Sequence, residues 1–222
     1  MSHREYWERN IEGFSGFYDK GSEEFLSGPA IVRVPYRWFI LPIEKRYMMR
    51  RYQMVRGFID DEISSGILAA DIGCGSGVFS ILMAEKGANV LAFDFAEQAL
   101  SMTQRNVPLG LQSLVETRQL DIAKEKIPRV DFAMAIGVLP YIEDAEAFVR
   151  NAGSSSETLL FNFLDATNPI NRIRRKLAIL DPRKYFYHRP ADINMILNRY
   201  DLMVQRRVPL ATGLMILARR QS

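Results

Sequence analysis

Hydrophobic and polar positions follow two rhythms along this chain, and the change from one to the other falls near residue 66. Residues 1–65 are rich in aromatics and arginine and show no strand alternation. Within IEKRYMMRRYQMVRGFIDDEI, the residues Tyr47, Met48, Tyr52, Met54, Val55, Phe58 and Ile59 recur at spacings of three, four and seven, while Arg46, Arg50 and Gln53 mark another face. That spacing predicts an amphipathic helix over roughly 43–63. Pro35 and Pro42 break the segment before it.

From Gly66 short apolar runs alternate with helical ones. ILAAD (67–71) reads as a buried parallel strand ending in an acid, and GVFSILMAEKG as a helix closed by Gly87. ANVLAFD (88–94), LVETRQLD (114–121), VDFAMAIG (130–137) and ETLLFNFL (157–164) read as four further strands. Helical patterns separate them in AEQALSMTQRN and EDAEAFVRNAG, a short helix follows from Pro190 to Asn198, and DLMVQRRV with ATGLMILARR closes the chain as a hairpin. Strand–helix alternation implies an α/β fold: a Rossmann-like, doubly wound, mostly parallel sheet of seven strands with an antiparallel C-terminal edge. The expected organisation is an N-terminal helical segment over 1–65 and a core over 66–222, with a basic insertion at about 165–190.

Composition adds exclusions. Apolar residues make up 48% and charged residues 25% of 222, a soluble globular balance that rules out extended disorder. A single cysteine, Cys74, cannot pair within the chain and reads as a small buried filler. With two well-separated histidines and one cysteine, no metal site is expected. The charged start MSHREYWERN does not fit a signal peptide and no apolar run is long enough to span a bilayer, so a cytoplasmic location is expected. His3, in that charged start, reads as inert.

The net charge of +3 is unevenly spread. Residues 33–56 hold seven cations against Glu44, residues 172–189 hold seven against Asp181, and the remainder carries −9. Asymmetry of this kind speaks of partners rather than of fold. Arg interleaved with Tyr, Trp and Phe in VRVPYRWFILPIEKRYMMRRY suits peripheral contact with an anionic membrane, against the plainer reading of a solvated helix face. An isoelectric point near 9.0 would also suit nucleic acid, but no RNA-binding appendage is recognisable.

The chemistry concentrates at the strand ends, where open α/β sheets bind ligands. In Asp71-Ile72-Gly73-Cys74-Gly75-Ser76-Gly77, glycines at alternate positions permit positive φ and close backbone approach, and the next helix start offers unpaired N–H groups. Asp94 follows 23 positions later and can accept from both hydroxyls of a ribose; Asp121 can take an exocyclic amine. A nicotinamide-binding loop wants G-x-G-x-x-G, whereas Val78 stands where its third glycine belongs. A turn whose glycines serve packing alone is the bland alternative, set against three acids at three strand ends.

DIGCGSG, the strand ending Phe93-Asp94-Phe95, Asp121-Ile122 and Ala135-Ile136-Gly137 together resemble the class I methyltransferases that use S-adenosylmethionine. The resemblance covers about residues 60–220. It implies that Asp71 anchors the loop and reaches the methionine ammonium, that Gly73, Gly75 and Gly77 line the methionine and ribose, and that Asp94 holds the ribose hydroxyls. It further implies that Phe95 packs on the adenine, Asp121 and the Ile122 backbone read its edge, and the Gly137 carbonyl faces the methionine, with S-adenosylhomocysteine as product.

The same family guides the acceptor. Adenine methylation in DNA is disfavoured, because Gly137-Val138-Leu139-Pro140-Tyr141 stands where an Asn/Asp-Pro-Pro-aromatic motif would lie. Small-molecule members carry Val-Leu-x-His there, and Tyr141 replaces that histidine. His188, in Tyr185-Phe186-Tyr187-His188-Arg189-Pro190, is the candidate general base, against a capping or packing role at the helix start. The segment Tyr187–Arg207 is similar to small-molecule O-methyltransferases of quinone and magnesium-porphyrin biosynthesis. The resemblance further implies that 1–65 and the insertion at about 165–190 form a substrate lid, which makes Tyr18 and Tyr36 candidate substrate contacts, against core packing. The expected activity is methyl transfer to a small organic acceptor, at oxygen, with an anionic or membrane-associated intermediate as acceptor. An RNA methyltransferase and a non-catalytic cofactor-binding subunit are the alternatives.

Overall fold

The structure is a computed structural model that describes residues 41–176 and 184–221, with side chains from residue 46. Tyr18 and Tyr36 lie outside the described residues, as does the lid segment before Leu41. The first described element is α1 (Leu41–Glu62), with Pro42 in its first turn, where a missing N–H leaves no helical bond unmade. Then come β1 (Leu68–Ile72), α2 (Val78–Glu85), β2 (Asn89–Asp94), α3 (Glu97–Asn106), β3 (Val115–Gln119), β4 (Val130–Ala135), α4 (Ala145–Ala152) and β5 (Ser156–Leu164). The chain continues through α5 (Pro169–Lys176), α6 (Pro190–Arg199), β6 (Leu202–Leu210) and β7 (Gly213–Arg220).

The seven strands form one sheet in the order β3-β2-β1-β4-β5-β7-β6. The first five pair in parallel. β7 is antiparallel to both β5 and β6 and is inserted between them, so the antiparallel C-terminal edge is a whole hairpin whose outer strand is β6. The order reverses between β1 and β4, which opens a crevice beyond the carboxyl ends of those strands.

Burial alternates by single residues, as a pleated strand requires. Ala69, Val90, Phe132, Met134, Leu160, Met215 and Leu217 pack with Val55, Phe58 and Ile59 of α1 and Phe79 and Met83 of α2. Their neighbours Ala70, Leu91, Ala133, Leu159, Phe161 and Ile216 pack on the opposite face with Phe148 and Val149 of α4 and Ile193 and Leu197 of α6. Because both faces are covered, β1, β2 and β4 are almost continuously buried. The C-terminal end of α1 is held to the hairpin by Arg206–Asp61 and Arg219–Glu62 pairs at 2.6 Å, with the Arg206 guanidinium 4.4 Å from the Phe58 ring centre. That clamp lays the preceding turns of α1, with Met48 and Arg51, over the crevice.

Two details depart from the sequence reading. Asp71 lies inside β1 rather than at its tip, and Asp121 sits in the turn beyond β3, whose ladder stops at Gln119. The basic insertion also contains a helix, α5, for which two isoleucines in PINRIRRK were too few to set a period.

Candidate cofactor and acceptor site

The loop after β1 is built by three glycines in the left-handed region, Gly73, Gly75 and Gly77, at φ of 73°, 57° and 80°. Their roles differ. A Cβ on Gly73 would lie 2.5 Å from Val138 Cγ2 and one on Gly77 would lie 2.8 Å from Thr103 Cγ2, so both glycines are forced by packing. A Cβ on Gly75 would meet nothing within 4 Å, because Gly75 faces open space in the crevice. Gly77 caps α2 and is not among the residues lining that crevice.

Beneath the loop, Asp71 is buried and accepts a 2.6 Å hydrogen bond from Ser80 Oγ on α2. Burial, with the Asp94 carboxylate nearby, raises its pKa from 3.8 to about 6 against the lowering effect of Ser80. Asp94 closes β2, and its two oxygens accept from the Gly75 and Ala96 amides at 3.1 and 3.0 Å. Burial pushes its pKa up and these backbone donors pull it back. Each carboxylate oxygen retains lone-pair capacity for a further donor. Cys74 is buried beside Thr103 Oγ1 at 3.4 Å, and burial drives its pKa well up, which fits a filler.

Past β3, Asp121 Oδ1 accepts from the Ala123 amide at 3.2 Å and Oδ2 meets Lys124 Nζ at 2.9 Å. The Ile122 carbonyl accepts from Asn151 Nδ2 at 2.9 Å. Past β4, Gly137 takes φ of 81° and donates to Asn162 Oδ1 at 2.6 Å. Asn162, 5% exposed on β5, lines the crevice, and nothing in the sequence beyond a polar residue in an apolar strand singled it out. Arg51 on α1 approaches Gly137 from the other side.

All of this converges on one cavity of about 610 Å³, a size suited to a small-molecule site. Asp71, Gly73, Gly75, Asp94, Phe95, Asp121 and Ile122 line one end. Gly137 and Asn162 stand between, and Arg51, Tyr47, Tyr141, Leu164, Arg174, Tyr185 and Thr212 line the remainder. His188 is not among the lining residues. Its Nε2 lies 3.2 Å from the Ile142 carbonyl, its amide donates to Leu164 O at 3.0 Å, and burial lowers its pKa. Among the described residues no cluster of three or more His, Cys, Asp and Glu is arranged to hold a metal.

Residues 70–155 match a family model described as "Methyltransferase domain". That stretch of the chain is thus similar to a methyltransferase domain. A ubiquinone biosynthesis O-methyltransferase from Leptothrix cholodnii is 32% identical over 88 residues, which are 38% of this chain and 37% of that protein. A ribosomal protein L11 methyltransferase from Caldanaerobacter subterraneus is 33% identical over 84 residues, 37% of this chain and 27% of that one. The chain thus spans between about a quarter and a half of the curated relatives it matches. In fold it resembles the magnesium protoporphyrin IX methyltransferase of Synechocystis PCC 6803, crystallised with bound SAH, at a TM-score of 0.73, with 21% identity and 98% of each chain covered.

S-adenosylmethionine is the cofactor that this domain implies, and the residues fit it. Gly75 leaves open the space a Cβ would take, Asp94 presents a braced carboxylate where ribose hydroxyls would lie, and three carboxylates suit a ligand carrying an ammonium and a sulfonium.

Proposed function

We propose that this chain transfers a methyl group from S-adenosylmethionine to oxygen on a small, anionic organic acceptor. The observation that carries this reading is the continuity of the cavity, which joins a carboxylate-lined end to one walled by tyrosines and arginine. Asp71 would take the methionine ammonium, Gly73 and Gly75 its chain, Asp94 the ribose, Phe95 the adenine face, Asp121 with the Ile122 N–H the adenine edge, and the Gly137 carbonyl the methionine. Arg51 supplies the positive charge for the methionine carboxylate. When bound, the cofactor supplies an electrophilic methyl on a cationic sulfur.

The protein's own work is then to align an acceptor oxygen with that methyl and to exclude water. Tyr141 borders the acceptor end and is positioned to touch substrate. His188 we assign to holding the 139–142 turn, since its ring faces the Ile142 carbonyl from behind that turn. The basic stretch at about 165–190 serves as one wall of the acceptor end, through Arg174 and Tyr185.

Turnover by the purified chain is the test. S-adenosylhomocysteine should bind in calorimetry, and S-adenosylmethionine should be consumed only with a small-molecule extract. Consumption dependent on RNA or on ribosomal protein would replace the small-molecule reading, and binding without any turnover would favour a non-catalytic subunit.

Peripheral membrane contact is carried by a separate observation. Ile170 and Ile173 of α5 are 50% and 61% exposed beside the exposed Arg172, Arg175 and Lys176, a pattern suited to an anionic bilayer surface. Among the described residues no helix is long and apolar enough to cross a membrane. Flotation with anionic but not neutral liposomes is expected; flotation with neither removes this reading.

A further inference from the structure

The segment 184–188 is laced to the turn that carries Tyr141. Phe186 N donates to Pro140 O at 2.8 Å, His188 N donates to Leu164 O at 3.0 Å, and the His188 ring reaches Ile142 O at 3.2 Å. The lacing sets the Tyr141 and Tyr185 rings 5.3 Å apart at 32°, both on the cavity. Helix α5 docks on this segment through cation–aromatic contacts: Arg174 lies 5.3 Å from the Tyr185 ring centre and Arg175 lies 5.9 Å from that of Tyr187. Of these two cations only Arg174 lines the cavity.

Arg174 also differs from the other cations there. Lys124 is paired with Asp121, whereas no described carboxylate lies within ion-pair distance of Arg174. Its guanidinium carbon lies over the Tyr185 ring, and a guanidinium fork matches a planar oxyanion with two parallel N–H bonds. The same cavity is lined by the tilted rings of Tyr141 and Tyr185 and by the partly buried Val138 and Leu164.

We propose that Arg174, seated on Tyr185, is the acceptor-recognition residue of this chain and that the acceptor is a planar aromatic acid. Its ring lies along Tyr141 and Tyr185, and its carboxylate takes the Arg174 fork. A single guanidinium fork matches the single charge of a carboxylate better than the double charge of a phosphate monoester. This assignment rests on the reading of the cavity as a cofactor-and-acceptor site and names which molecules fill its second half.

The experiment uses the full chain saturated with S-adenosylhomocysteine and probes that share a ring. Calorimetry would compare 3,4-dihydroxybenzoate with catechol, 2-naphthoate with 2-naphthol, and benzoate with phenyl phosphate. At least one acid should bind about tenfold or more tightly than its neutral partner, a difference of about 1.4 kcal/mol. In Arg174→Gln that preference should fall to within about twofold. Tyr185→Leu should weaken acid and neutral probe alike, and neither variant should change S-adenosylhomocysteine affinity.

Equal binding of acid and neutral probes, binding of neither, a preference that survives Arg174→Gln, or a preference for phenyl phosphate over benzoate overturns the assignment. Failure of S-adenosylhomocysteine to bind at all would strike the underlying reading instead, and the calorimetry reads the two separately.

Discussion

Ser80 Oγ and Asp71 Oδ2 meet at 2.6 Å inside the protein, with both residues buried. One hydroxyl is a small return for a carboxylate taken out of water, and the pKa of Asp71 rises from 3.8 to about 6 as a result. Such a displacement corresponds to about 3 kcal/mol. Folding therefore bears this cost in full above pH 6 and is progressively relieved of it as pH falls toward 3.8. Asp71→Asn should raise the melting temperature of the ligand-free protein at pH 7.5, with the gain vanishing near pH 4, and should weaken S-adenosylhomocysteine binding at pH 7.5. Thermal melts across that range, with and without ligand, check both signs.

Asp94 has its two oxygens already braced by the Gly75 and Ala96 amides, so removing the carboxylate disturbs the loop as well as the ribose site. Asp94→Ala should weaken cofactor binding by about 1–3 kcal/mol, the cost of leaving buried hydrogen-bond partners unmatched. Wild-type affinity for S-adenosylhomocysteine in this variant would refute the role given to Asp94.

Asn162 Oδ1 accepts from the Gly137 N–H in the wall of the cavity. Asn162→Ala strands the Gly137 N–H and should destabilise the protein by about 1–3 kcal/mol. The sharper effect should be on kcat, because the Gly137 turn also carries Tyr141, while Asn162→Asp, which keeps the acceptor oxygen, should recover stability.

For His188 the discriminating readout is the pH–rate profile. With Nε2 directed at the Ile142 carbonyl and a pKa lowered by burial, His188→Ala should lower the rate by displacing the 139–142 turn but leave the shape of the profile intact. Loss of a limb of the profile would make His188 the base after all.

The residues proposed for the cofactor were legible in sequence because their spacing is local. Glycines at 73, 75 and 77 fall within one turn, and Asp94 and Asp121 follow at strand-plus-helix spacings, so period and spacing carry the information. Gly77 shows the limit of that signal: the same motif serves α2 capping and Thr103 packing, which one-dimensional spacing does not distinguish from ligand contact. The acceptor half was not legible. Asn162, Arg174 and Tyr185 meet only because β5 lies beside β4 and α5 folds back on 184–188, and no periodicity encodes that meeting. His188 stood out as a lone titratable residue near a helix start, yet its environment is set by the backbone of a turn 46 residues away.

The lacing of 184–188 onto the 139–142 turn also bears on how this protein could change. Asp71, Asp94 and Asp121, carboxylates that line the cavity, all precede Lys124, whereas Tyr141, Leu164, Arg174, Tyr185 and Thr212 follow Ile136. The family match ends at 155, before Asn162, Arg174 and Tyr185 begin to contribute. On the proposed function, the cofactor residues fall within the matched stretch, and Arg174 and Tyr185 add an acceptor wall from beyond it. On that reading, exchanging residues 165–189 for the equivalent stretch of a relative should change acceptor preference and leave S-adenosylhomocysteine affinity as it is.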